Sequence, residues 1–316
     1  MSTVKEVRNN LVPCTLYSGH YHFGVGALAN SLYRSGFRGG ICVGYQSSLP
    51  PWASSARQMN DKVVLEVEPD FTIEFLRWPS RGNLSLEKAR FLLHVLDEVA
   101  TDATGVLHFD ADLVVRASWE FFERWLEQGV ALCLDACYPL VPALHPWRGE
   151  WRELVASEGK AYRDLEYYAN SGFVGVPRQH REFARCWAAL IDRYVAQNAE
   201  MPNRVKFNAR ERAFTGDQDM LNAAMMATDV PLSIVGQDAM DFIPGGFLMS
   251  HALDEPKPWQ RNFLASALLG RPPARAEKAY WQYTDFPIRL FTPLRTLLTK
   301  TALRTASAVG RFYARR

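Results

Sequence analysis

The sequence predicts an α/β fold: a mostly parallel sheet flanked by helices, followed by a basic amphipathic C-terminal tail. Three observations predict it. Segments that read as strands alternate with helical patterns over roughly the first 250 residues. The first strand, helix and strand follow one another in the order a parallel crossover needs. After Asp285 the chain carries no acidic residue, while Arg and Lys recur among leucines.

Leu11–Tyr17 reads as a first buried strand. Gly24 and Gly26, with the spacing Val25, Leu28, Leu32, predict a glycine-opened helix to about Arg34. Gly39–Tyr45 and Val63–Val67 read as strands, separated by a Pro- and Ser-containing loop, Ser47–Ser55. Ser85 is a candidate N-cap for a helix to Val99, whose apolar face is Leu86, Phe91, Leu92, Val95 and Leu96. Gly105–Phe109 is a strand, Ser118–Gln128 a helix closed by Gly129, and Val130–Leu134 another strand. Between Ala136 and Asn170, Pro, Trp and Tyr are frequent and periodicity is weak. That stretch reads as an insertion or lid, with Trp151–Glu158 helical. Gly172–Val176, Leu232–Val235 and Phe247–Ser250 read as strands, and Arg178–Asn198 and Asp217–Thr228 as helices.

Composition excludes several classes. A net charge of +2 over 316 residues gives no basis for a nucleic-acid partner. No run of about 18 apolar residues is present to span a membrane. Met1–Asn10 is polar and lacks the apolar stretch of a signal peptide. Five cysteines, an odd number set mostly within apolar runs, fit reduced thiols in a cytosolic protein. Cys133 and Cys137 have metal-like spacing, but no second pair lies nearby, so core packing is the reading.

The most informative stretch is Val106 to Val115. An apolar run ends in Asp110 and Asp112, then resumes. Alternate side chains of an extended chain point the same way, so these two carboxylates can reach one point. They repel unless a cation sits between them, and a divalent metal carrying a phosphate answers that need. The bland alternative is a pair of solvated carboxylates in a turn. In open sheets ligands sit beyond the carboxyl ends of strands, where both Asp110 and His251 fall.

Three later segments add to this: Tyr168–Val176, Thr215–Asn222, and His251–Trp259 with its His-x5-Lys-Pro-Trp spacing. In that order after an Asp-x-Asp strand, they resemble the pattern of glycosyltransferase family 8. Thr15–Tyr17 followed by Gly24–Leu32 resembles that family's first strand and helix. The resemblance covers roughly Leu11 to Asn262. It implies a Rossmann-like GT-A fold, assigned to residues 1–262; composition marks 136–170 as the acceptor loop or lid and 263–316 as the basic tail. It further implies a nucleotide-sugar donor, usually UDP-linked, manganese (or magnesium), and transfer with retention of anomeric configuration. Asp110, Asp112 and His251 would be metal ligands, with Asp110 also near the donor's ribose and sugar. Lys257 would bind the diphosphate, and Asn170, Asp217 and Gln218 would line the sugar and reaction centre. Arg90 sits where the family tends to place an arginine that meets the donor.

The residue chemistry agrees independently. Two carboxylates and an imidazole make a borderline-hard site suited to Mn²⁺. Asp217 or Gln218 could support positive charge developing on the anomeric carbon. Each residue keeps an alternative: His251 a histidine closing a strand, Lys257 a surface charge, Asp217 an N-cap, Asn170 a turn residue, Asp135 a solvated strand end rather than an acceptor contact. Ser18-Gly19-His20-Tyr21 stands where such families carry acidic or amide groups near the base. Tyr17 or Tyr21 could stack on the base or belong to the core.

Aromatic side chains between Ala136 and Tyr168 suit a glycan or glycolipid acceptor such as lipopolysaccharide, or else form a second small core. The tail places Lys300, Arg304, Arg311 and Arg315 beside Leu294, Leu298, Val309 and Phe312, as an anionic membrane surface or a docked helix would require; Arg316 adds to its charge. The expectation is an enzyme peripheral to the inner face of a membrane. A silent scaffold domain and a nucleotidyltransferase are the competing classes.

Overall fold

The computed structural model describes residues 10–60, 62–80, 82–157, 161–197 and 216–313. Glu158, Asn198, Thr215, Arg315 and Arg316, and the N-terminal residues before Asn10, lie outside them. In chain order the elements are β1 (Leu11–Tyr17), α1 (His22–Arg34), β2 (Gly39–Tyr45), β3 (Arg57–Met59), β4 (Lys62–Glu68) and β5 (Phe71–Arg77). Then come α2 (Lys88–His94), β6 (Gly105–Phe109), β7 (Leu113–Val115), α3 (Trp119–Leu126), β8 (Val130–Leu134), α4 (Pro146–Ser157), β9 (Ala169–Pro177) and α5 (Arg181–Gln197). The last are α6 (Asp217–Ala227), β10 (Leu232–Val235), β11 (Met249–His251), α7 (Phe263–Leu268), α8 (Arg275–Tyr280) and α9 (Pro293–Tyr313).

The chain divides into two compact units. The first comprises residues up to Cys14, Pro79–Phe109 and Glu120–Gly236; the second comprises Thr15–Trp78, Asp110–Trp119 and Gln237 onward. In the first unit the strand order is β10-β8-β9-β6-β1. The pairs β1–β6 and β8–β10 are parallel, and β9 runs antiparallel to both β6 and β8. Every residue of β9 is buried, as expected for a central strand. Phe109, Phe122, Trp125 and Phe173 pack ring on ring at centroid distances of 5.1–6.2 Å. Rings of this kind contribute about 1.5–3 kcal/mol each by burial.

In the second unit β2 and β5 pair in parallel, and β3 and β4 continue the sheet antiparallel. β5 escaped the sequence reading. Its alternation, Phe71, Ile73 and Phe75 inward with Thr72 and Glu74 half-buried, is the period-two pattern of a strand. A separate two-stranded ribbon joins β7 to β11, antiparallel, with Leu113 opposite His251.

Several boundaries differ from expectation for local reasons. Asn83, not Ser85, caps the turn before α2: its side chain accepts from the Ser85 amide. The Ser85–Val99 helix is an α-helix only from Lys88 to His94, flanked by a 3₁₀ turn and a π turn. α4 starts at Pro146, where proline's fixed φ suits the first turn. Among the described residues no helix is long and apolar enough to cross a membrane.

Candidate functional site

In the second unit the chain turns at Asp110, directly after β6 in sequence, and re-enters extended structure at Leu113. The antiparallel ribbon then sets His251, 139 residues later, beside Asp112. His251 Nε2 lies 3.0 Å from Asp112 Oδ1 and 4.0 Å from Asp110 Oδ2. One ligand atom from each of Asp110, Asp112 and His251 lies within 4.8 Å of the others. Donor atoms around a six-coordinate divalent ion, about 2.1 Å out, are about 3.0 Å apart when adjacent and about 4.2 Å when opposite. The three residues therefore fit a divalent metal in chemistry and spacing.

Lys257 closes the cluster. Its Nζ lies 2.8 Å from Asp112 Oδ2 and donates to the Ala252 and Leu253 carbonyl oxygens at 2.9 and 3.0 Å. All three ammonium protons thus have protein acceptors. Asp112, His251 and Lys257 are buried, whereas the Asp110 side chain keeps 26% of its surface exposed. Burial pushes the Asp112 carboxyl up, but the charges and hydrogen bond of His251 and Lys257 outweigh it and hold the group below the ordinary carboxylate range. A glycine allows the Asp110–Asp112 turn to approach α1: a Cβ on Gly24 would collide with the Ala111 carbonyl oxygen.

The Ser18–Tyr21 segment, a departure from the family pattern, also joins this cluster. Trp259 Nε1 donates to His20 Nδ1 at 2.9 Å, and Tyr21 Oη donates to Glu255 Oε1 at 3.2 Å. The Tyr21 ring meets Trp259 edge-on, with the Lys257 ammonium 5.9 Å from its centroid. Burial, then the Asp112 and Glu255 charges, raise the Tyr21 phenol well above its usual value. Tyr17 takes the core alternative: it is buried, its hydroxyl donates to the Ser48 carbonyl oxygen at 2.8 Å, and its ring stacks on Tyr45. Its ring has no face free for a base.

The first unit gathers Asn170, Asp135, Asp217 and Gln218. Asp135 Oδ2 accepts from Asn170 Nδ2 at 3.0 Å and Gln218 Nε2 at 3.1 Å. Its Oδ1 accepts from the Cys137 and Tyr138 amides. A carboxylate offers about four lone-pair sites, and these four bonds engage both of its oxygens. Asp135 therefore holds Asn170 and Gln218 in place. A register shift between Leu132 and Cys133 sets Cys133 opposite Asn170, at the start of β9. Gln218 is gripped at both ends, since its Oε1 accepts from the Ser171 amide.

Asp217 is not a cap. Gly216, at φ 149°, takes that position without a side-chain bond. The Asp217 carboxylate instead lies 3.1 Å from Lys88 Nζ, which also donates to the Ser171 carbonyl oxygen at 3.2 Å. Lys88 is the buried cation of this cluster, and sequence reasoning chose its neighbour two residues on. Arg90 is exposed on α2 and pairs with Glu87 and Asp192. The structure does not bring it to this cluster, because residues two apart on a helix face different ways. Asn222, Tyr168 and Asp219 complete the network: Asn222 exchanges two bonds with the Ala169 backbone, and Tyr168 Oη donates to Asp219 at 2.7 Å. The one available signal was that polar residues interrupt an apolar α6 face.

The aromatic segment divides. Trp151 and Tyr168 are buried and stacked, with Arg148 beneath them donating to the Val141 and Tyr167 carbonyl oxygens. Burial pushes the Arg148 guanidinium down to about 10. Tyr138, Tyr162 and Tyr167 are exposed. One part is thus a small core and the other an open aromatic surface.

The fold places the chain among proteins of GT-A architecture. The glycosyltransferase GlyE of Streptococcus pneumoniae TIGR4 matches with a TM-score of 0.51 at 14% identity, over 94% of this chain and 64% of its own. The bifunctional glycosyltransferase WbbM matches with a TM-score of 0.55 at 13% identity, over 95% of this chain and 53% of its own. The chain thus spans about two thirds and about half of these two proteins. No sequence-family model and no curated protein matches it in sequence.

Proposed function

We propose that the protein is a metal-dependent retaining glycosyltransferase that moves a hexose from a nucleotide sugar, expected to be UDP-linked, to a glycan or glycolipid acceptor. The observation that carries this reading is the convergence of Asp110, Asp112 and His251 with Lys257 in a fold shared with glycosyltransferases. A divalent ion held there, Mn²⁺ or Mg²⁺, would supply the charge that neutralises a departing diphosphate. Lys257, fixed against Asp112, adds a point charge beside the diphosphate. Asp110, the most open of the three, faces the incoming donor. Of the two tyrosines considered for contact with the base, Tyr21, next to Lys257, is assigned that role.

In the first unit we assign Asp217 and Gln218 to the sugar. The Gln218 amide is locked in orientation by Asp135 and Ser171, so it loses no further freedom on binding. Lys88, 3.1 Å away, holds the Asp217 carboxylate in place to face positive charge on the anomeric carbon. Asn170, held by Asp135, lines the same sugar. The exposed Tyr138, Tyr162 and Tyr167 suit the apolar C–H faces of an acceptor glycan. The basic C-terminal helix is assigned to an anionic membrane surface, which would bring the enzyme to a lipid-linked acceptor.

The test is a thermal-shift panel of nucleotide sugars with and without Mn²⁺, followed by assay of nucleoside diphosphate release. One donor should raise the midpoint only with the metal, as mass action requires, and should release its diphosphate. No shift and no release with any donor would overturn the reading and favour a silent scaffold domain.

A further inference from the structure

In the second unit a groove of about 880 Å³ opens between α9 and the body of the unit. Five cations line it, Arg34, Lys278, Lys300, Arg304 and Arg311, against a single carboxylate, Asp285. Lys300 is neutralised by Asp285 at 2.7 Å. Arg34 is anchored in place: its Nη1 donates to the Gln282 carbonyl oxygen, and its guanidinium lies 4.9 Å from the Tyr283 ring centre. Lys278, Arg304 and Arg311 make no ion pair among the described residues. Three unneutralised cations and one anchored arginine around a cavity hold their charge for an anion.

The helix that forms one wall is apolar on its outward side. α9 buries Thr296, Leu303 and Ala306. Lys300, Arg304 and Arg311 recur every four or seven residues, on one stripe. The neighbouring stripe carries Leu294, Leu297, Leu298 and Phe312, all 60% exposed or more. α7 packs on α9 and adds exposed Leu264, Leu268 and Leu269. A free phosphate needs the cations alone. A basic groove bordered by outward leucines matches an amphiphile, with its phosphate in the groove and its chains beside the leucines.

We propose that this groove binds the phosphate of an anionic lipid headgroup. The proposal deepens the membrane placement given above and rests on it. Arg34 and Lys278 belong to it although they stand outside the C-terminal helix, which turns a diffuse basic stripe into a built site. Arg34 stands ten residues along α1 from Gly24, which meets the Asp110–Asp112 turn, about 15 Å away along the helix, so the groove is separate from the candidate metal site.

The experiment is sedimentation of the full chain with phosphatidylcholine vesicles containing or lacking phosphatidylglycerol. It compares the wild type with Lys278→Gln/Arg304→Gln and with a remote pair of exposed cations, Arg57→Gln/Arg124→Gln. The expected result is partitioning that needs phosphatidylglycerol, about thirtyfold weaker in the groove variant and nearly unchanged in the remote one. Equal weakening of both variants would overturn the groove while leaving diffuse membrane attraction intact. Absence of wild-type sedimentation would overturn the membrane placement itself. A midpoint shift with inorganic pyrophosphate that the groove variant loses, without vesicle binding, would overturn the lipid and assign the site to a soluble phosphate.

Discussion

The two buried polar clusters are built on opposite principles. In the Asp112 cluster formal charges face one another: two carboxylates, an imidazole and an ammonium, with Asp110 left open. In the Asp135 cluster most partners are amides and backbone groups, with an ion pair between Asp217 and Lys88. A cluster of facing charges can exchange partners when another charge arrives, whereas an amide network mainly fixes orientation. The contrast suits a division of labour between holding a charged group and holding a neutral sugar.

Breaking the first cluster should have the largest effect. Asp112→Asn removes the charge between His251 and Lys257 while keeping the side chain's shape. Turnover should fall about 10³-fold or more, and Mn²⁺ titration should show loss of metal binding. The melting point should drop because Lys257 loses its ionic partner, with the circular dichroism spectrum of a folded protein retained. Wild-type activity and metal dependence in this variant would sink the ligand assignment.

Lys88→Met probes the second cluster. It leaves the Asp217 carboxylate buried without a cation, a loss of about 3–5 kcal/mol in unfolding free energy. Metal affinity should stay unchanged, so chemical denaturation and Mn²⁺ titration together separate the two clusters. An equal loss of metal affinity in Lys88→Met and Asp112→Asn would erase the distinction.

Gly24→Ala acts on the first cluster without touching a charge. The added methyl pushes the Ala111 carbonyl, and with it the aspartates on either side. The expected cost is about 1–3 kcal/mol of stability, read from denaturant midpoints, with weakened Mn²⁺ binding. Arg90→Ala should do least. Its ion pairs are solvent-screened, so stability should change by less than about 0.5 kcal/mol and donor affinity not at all. A large loss of donor affinity, measured by calorimetry, would return Arg90 to the site.

Much of the fold was legible because the strands carry their own signals. β1, β2, β6, β8 and β10 are bounded as the apolar runs and turn residues indicate. The convergence of Asp110, Asp112 and His251 was legible for a different reason: the spacing of Asp110 to Asp112 and of His251 to Lys257 reports local geometry on each side of the cluster. Lys88 was hidden because α2 is short and flanked by irregular turns, so helical phase could not tell it from Arg90. Tyr17 and Tyr21 were indistinguishable as letters, since each is a tyrosine close to the carboxyl end of the first strand.

By itself the sequence determined the order of strands and helices, the paired aspartates and the basic amphipathic end, because periodicity and charge are properties of neighbours along the chain. Only the tertiary structure decided which partners those residues meet. The β7–β11 ribbon put His251 on Asp112, the β9 register shift aimed Asn170 at Asp135, and α9 found Arg34 and Lys278 across a groove. Such pairings lie far apart in sequence and are fixed by packing and register, which no local pattern records.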